Sequence, residues 1–181
     1  MSSKAVEMVA ELMALSARTA PKGRGQDSIE IKIVTGDDLL KLAAETRRLS
    51  EVFGMKFFTR DAGNLENSDG CVVIGCRSEA IVGLDCGGCG FATCKEMLKA
   101  QEAVESEEKP FRGPSCIIKM ADLGIALGSA AKTASLHNVD NRIMFSAGVG
   151  ALYLGWLEGC RVAYAIPLKA SGKSIFFDRQ A

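Results

Sequence analysis

Cys71-Val72-Val73-Ile74-Gly75 is an unbroken run of apolar and small residues, with polar turn residues (61–70) before it and Arg77 after it. A strand with one wet face alternates apolar and polar side chains, so a continuous run predicts a strand covered on both faces. The neighbouring sequence supplies the cover. Val6, Val9, Leu12, Met13 and Leu15 recur at helical spacing and predict an amphipathic helix. Ile29 to Val34 alternates and predicts a half-buried strand. Gly36-Asp37-Asp38 opens a helix whose buried face is Leu39, Leu42, Ala43, Leu49 and Phe53, with Thr35 or Asp37 as cap and Gly54 closing it. Further on, short strands are expected at Lys56–Thr59 and Ala80–Leu84, and turns at Asp61–Gly70. Helices are expected at about Lys95–Val104, Ile117–Leu136 and Asn138–Trp156, then a strand at Arg161–Ile166 and a polar tail from Pro167. The fold class is α/β or α+β, a central mixed sheet flanked by helices. No repeat or long linker divides residues 1–181, so a single domain is expected, with residues 69–120 as an embedded segment.

The 181 residues carry 22 Lys+Arg and 22 Asp+Glu, and 48% are hydrophobic. That is a globular composition, not a disordered one. Zero net charge and 6% aromatic residues argue against nucleic acid and anionic membranes as partners. Lys4, Glu7 and Glu11 interrupt the first apolar stretch, so it does not read as a signal peptide. The longest uncharged run, Ile143–Leu157, is short of the roughly 20 apolar residues of a membrane span and is interrupted by Gly148, Gly150 and Gly155. A cytoplasmic protein is expected. Its seven cysteines cannot all pair within one chain, and in a reducing compartment they read as metal ligands, a redox site or core residues.

Chemistry concentrates in Cys86-Gly87-Gly88-Cys89-Gly90-Phe91-Ala92-Thr93-Cys94, with Cys116 downstream, a C-x2-C-x4-C-x21-C spacing. Three thiolates interleaved with glycines suit a compact loop around a multi-atom iron centre, with Cys116 as fourth ligand. The helix after Cys94 points its positive end at the same place. Two other readings compete. Structural zinc takes four cysteines, although its ligands usually come as two C-x2-C knuckles. Small buried residues are the other. Cys71, Cys76 and Cys160 read as packing residues, with Cys76 near enough in sequence to substitute as a ligand.

The loop resembles the 4Fe–4S segment of the corrinoid iron–sulfur protein and of the B subunit of Rnf-type complexes. Over nearly the whole chain the sequence resembles the uncharacterised ferredoxin-domain family of anaerobic prokaryotes. The stretches that carry this are Arg18–Gly25, the cysteine loop, Gly113-Pro114-Ser115-Cys116, Asp122–Ala126, Asp140–Ile143 and Ile166-Pro167-Leu168 running into Ser171-Gly172-Lys173. The resemblance implies an iron–sulfur protein for electron transfer, with a redox protein as partner and no assigned reaction.

Arg18, Lys22 and Arg24 crowd one Gly/Pro loop, while Lys169, Lys173 and Arg179 crowd the C-terminal tail. Together they could clamp a phosphate, or they are solvated basic loops. The Ala-Pro loop after the first helix resembles nitroreductase-type flavoproteins. That likeness implies a nitroreductase-like fold and an FMN site at Arg18, Lys22, Arg24 and Lys173, completed by a homodimer partner. The chain has Gln26-Asp27 where those proteins continue Asn-x-Gln-Pro. His137, the single His, reads as a helix cap, and Glu102 to Glu108 as a solvated face or a dock for a basic partner.

Overall fold

Burial of β2 (Gly70–Arg77) on both faces organises the structure. The computed structural model describes residues 3–104 and 109–177. Glu105, Glu107, Glu108 and Arg179 lie outside them. β2 is hydrogen-bonded to β1 (Ile29–Val34) on one side and β4 (Cys160–Lys169) on the other, and β3 (Asp140–Asn141) completes the order β1-β2-β4-β3. Val72, Ile74 and Cys76 face α1 (Ser3–Thr19) and α5 (Ile117–Leu136), packing among Val9, Met13, Leu123 and Leu127. Cys71 and Val73 face the opposite layer of α2 (Gly36–Phe53), α3 (Phe57–Glu66) and α6 (Phe145–Tyr153), among Leu42, Leu65, Ala147 and Ala151. The result is helix, sheet, helix in three layers. Each fully buried aliphatic side chain contributes about 1.5–3 kcal/mol.

Every strand pairing is antiparallel, which corrects the expected mixed sheet. The reason is α3, which the sequence reading replaced with a short strand at 56–59 and turns at 61–70. One helix between β1 and β2 would return the chain in parallel; two helices bring it back reversed. Gly54, left-handed at φ 67, ends α2 and turns the chain into this second helix. Phe58, Ala62 and Leu65 are fully buried at helical spacing. Asp61, which looked like a turn residue, is buried and accepts a 2.6 Å hydrogen bond from Ser146.

Other boundaries shift for similar reasons. The helix expected from Asn138 begins only at Phe145, because Asp140 and Asn141 pair with Lys169 and Leu168. β4 runs on through Pro167 to Lys169, into the expected tail. Its ladder with β3 covers only Leu168 and Lys169, stopping short of Pro167, which has no N–H to donate. Ala80–Leu84 forms no strand; Val82 is instead buried against Met97 and Cys116. Val6–Leu15, Ile29–Val34, α2 and α5 fall where the periodicity put them.

α6 lies against β4 at Gly148, where an added Cβ would sit 2.1 Å from the Ala163 carbonyl oxygen. Gly148→Ala is therefore expected to destabilise the protein by at least about 2 kcal/mol, since backbone cannot yield as a side chain does. Gly124→Ala, on the exposed side of α5 with nothing near the new Cβ, should stabilise by roughly 0.5–1 kcal/mol. Urea unfolding of both variants checks the pair.

Candidate metal centre and basic loop

The cysteine loop is shaped by its own backbone. Gly87 and Gly90 take φ of 71° and 87°, and Gly90 N–H closes a turn onto the Gly87 carbonyl at 2.9 Å. Asp85, itself at φ 46°, accepts the Cys94 N–H at 2.6 Å. Thr93 then caps α4 (Cys94–Glu102) in a reciprocal capping box with Glu96. A Cβ on Gly88 would stand 2.7 Å from Ile117 Cγ2, so glycine lets the loop lie against the start of α5. Cys116 is the N-cap residue of that helix.

These contacts bring Cys86, Cys89, Cys94 and Cys116 to the lining of one small cavity, with Phe91, Met97 and Ile117. Cys86 is exposed, Cys89 and Cys94 are half-buried, and Cys116 is 7% exposed. Val82, Met97, Leu98 and Ile118 form an apolar base. Among the described residues, no three Cys, His, Asp or Glu side chains gather closely enough to hold a single metal ion. The positive ends of α4 and α5 meet here, favouring anionic sulfur.

Gln101 holds this corner together and was not singled out from the sequence. Buried at 4% exposure, its amide donates to the carbonyls of Ser78 at 2.9 Å and Pro114 at 2.8 Å. Its own carbonyl accepts from Arg161 at 2.6 Å. It ties α4 to the end of β2, to β4 and to the segment entering Cys116. A lone polar residue on the buried face of a short helix was the available signal.

The other three cysteines are buried packing residues. Burial pushes the Cys160 thiol up to about 12 and the Cys71 thiol higher still. Burial also raises that of Cys76, against the hydrogen bond with Ser28. None of the three lines the thiol cavity.

The cations of the basic loop are engaged from within. Arg18 bonds Asp27 at 2.5 Å and the Ile29 carbonyl at 2.6 Å. Lys22 Nζ, nearly buried, donates to the carbonyls of Ala17, Arg18 and Ala20 and so caps the end of α1. Arg24 reaches the Val82 carbonyl at 3.1 Å, beside the thiol corner. Lys173 lies in the turn after β4, its N–H donating to Ser171 Oγ. Behind the loop, Lys119 is buried and donates to the Gln26 carbonyl at 2.7 Å and to Asp122 at 3.1 Å. The other Asp122 oxygen accepts the Gly23 N–H at 2.8 Å. Gln26-Asp27 therefore helps lock the loop to α5. His137 caps the C-terminus of α5, as expected.

Comparison with known proteins gives these features a setting. A family model described as "Uncharacterized protein containing a ferredoxin domain (DUF2148)" matches residues 112–179, which include Cys116. An uncharacterised protein of Archaeoglobus fulgidus is 42% identical over 177 residues, covering 98% of this chain and 93% of that one. The chain belongs to this ferredoxin-domain family. Its fold is that of the nitroreductases. Nitroreductase CinD from Lactococcus lactis, solved with nicotinic acid, superposes at TM-score 0.59 with 13% identity, covering 92% of this chain and 79% of that one. An FMN-bound nitroreductase from Desulfitobacterium hafniense superposes at 0.55 with 15% identity, over 92% and 78% of the two chains. One from Desulfovibrio desulfuricans, also in complex with FMN, gives 0.55 and 13%, over 100% and 81%.

The Asp27 carboxyl lies below the usual carboxylate range: burial works against ionisation, but bonds from Arg18 and the Ile29 N–H outweigh it. A depressed folded pKa gives stability present above the unfolded value, about 3.9, and lost as pH falls through the folded one. The stability gap between wild type and Asp27→Asn should thus be constant from pH 7 to 5 and narrow below pH 4. Urea midpoints across that range measure it.

Proposed function

We propose that the chain is a 4Fe–4S cluster-binding electron-transfer protein or oxidoreductase component, with Cys86, Cys89, Cys94 and Cys116 as ligands. The observation that carries this reading is the shared cavity: four thiols from a loop and two helix starts, separated in sequence, line one space. Soft thiolate donors fit an iron–sulfur centre. Around one zinc they would crowd to about 3.8 Å from one another at the usual ~2.3 Å bond length. Among the described residues no three such side chains gather that closely, which favours a multi-atom centre over a single ion. The bound cluster supplies one-electron transfer. This chain's own residues set its surroundings. Phe91 and Met97 limit water, the two helix ends oppose its negative charge, and exposed Cys86 leaves an edge suited to a redox protein partner. The reading places the protein in a reducing compartment, the cytoplasm.

A second reading, an FMN-dependent reductase using the cluster as relay, is favoured by the fold shared with FMN-bound nitroreductases. In this reading Arg24 and Lys173 would contact the flavin phosphate, and the site would be completed by a second copy. FMN binding, read as quenching of flavin fluorescence, tests it.

Anaerobically purified protein should absorb broadly near roughly 400 nm and bleach on reduction. Colourless protein with stoichiometric zinc and no iron or sulfide would refute the proposal. Cys116→Ser should lose most of that absorption, whereas Cys160→Ser, altering a buried thiol outside the cavity, should retain it.

A further inference from the structure

The segment 110–116 borders two cavities. Cys116 lines the thiol cavity, and Arg112 lines a second one of about 430 Å³. Its other walls are Arg48 and Val52 late in α2, Leu152 and Tyr153 at the end of α6, and Arg161 at the start of β4. The volume falls within the range of small-molecule sites, roughly 300–1,000 Å³. Arg112 and Cys116, four residues apart, are separated by at most about 14 Å of extended chain.

The charge of this cleft is one-sided. Among the described residues, three guanidinium groups line it and no carboxylate does. Two of them are partly engaged. Arg48 forks onto Glu45 at 2.9 and 2.7 Å, and Arg161 gives one bond to the Gln101 carbonyl. Arg112 is exposed and makes no hydrogen bond or ion pair among the described residues. Opposite it, Val52 is 51% exposed and Leu152 is half-buried, which leaves an apolar wall beside the arginines. The Tyr153 ring is fixed edge-on against Phe53. A guanidinium's planar fork matches carboxylate and phosphate oxygens two at a time.

We propose that this cleft binds a small organic anion, a phosphate ester or carboxylate on an apolar body, with Arg112 as the principal anion contact, Arg48 and Arg161 flanking it, and Val52 and Leu152 receiving the apolar part. The concave shape and apolar wall favour a small molecule over an acidic segment of a partner protein. Binding does not depend on the cluster reading. Only the closeness of the ligand to an electron source rests on it.

Calorimetric titration of the anaerobically purified full chain tests this, with phenyl phosphate as the probe. Binding on the order of 0.1–1 mM is expected, with inorganic phosphate several-fold weaker because it lacks the apolar body. Arg112→Gln should weaken phenyl phosphate by about tenfold or more. Val52→Ser should weaken phenyl phosphate but not inorganic phosphate. The Arg112→Gln melting curve and its absorption near 400 nm should match wild type, so loss of ligand and loss of cluster are read separately. Three results would overturn the proposal: no heat at about 10 mM phenyl phosphate, equal binding by wild type and Arg112→Gln, or tighter binding of hexaglutamate than of phenyl phosphate.

Discussion

Two-sided burial of β2 is the constraint on which the other elements depend. Its backbone is satisfied by β1 and β4, and its side chains leave no face for water. Helices must then cover both faces of the sheet. The layer of α1 and α5 also seats the basic loop through Gly23 and Asp122, while the layer of α2, α3 and α6 walls the arginine cleft. The strand ends at Arg77, and the cysteine loop follows shortly after it. The loop cysteines are therefore held at the rim of a rigid sheet, where a loop can approach α5 without disturbing the core.

At that rim the work is done by hydrogen bonds and by missing side chains. Thr93, Glu96 and Asp85 set the start of α4, so the position of Cys94 is determined by capping. Absence of a Cβ at Gly88 lets the loop meet Ile117. Gln101 then joins two separate stretches of chain through its buried side-chain amide, and its backbone carbonyl accepts from a third at Arg161. An unpaired amide in such a place would cost about 1–3 kcal/mol, which is why its partners matter as much as the residue.

The basic loop shows how a local charge pattern can mislead. Arg18, Lys22 and Arg24 form a cationic cluster in the sequence, but folding supplies Asp27 and several carbonyls that engage each of them. The arginines of the cleft left no comparable mark. Arg48, Arg112 and Arg161 are far apart in the chain, and only the packing of α2, α6 and β4 gathers them.

The cysteine spacing and its glycines were legible before any coordinates, because a ligand loop is a local object. The same is true of β1, α2 and α5, whose boundaries follow from side-chain periodicity and from glycine at Gly54. Of α3 the sequence showed only polar residues and a short apolar run, since what makes it a helix is burial of Phe58 and Leu65 and the distant partner Ser146 for Asp61. Missing that helix also left the sheet expected as mixed, where the second helix makes the β1–β2 pairing antiparallel. By itself, the sequence determined the layers, the cysteine spacing and most helices, all consequences of short-range pattern. Tertiary structure alone decided the antiparallel sheet, the common cavity of four distant thiols and which cations stay uncommitted, because each depends on contacts between residues many positions apart.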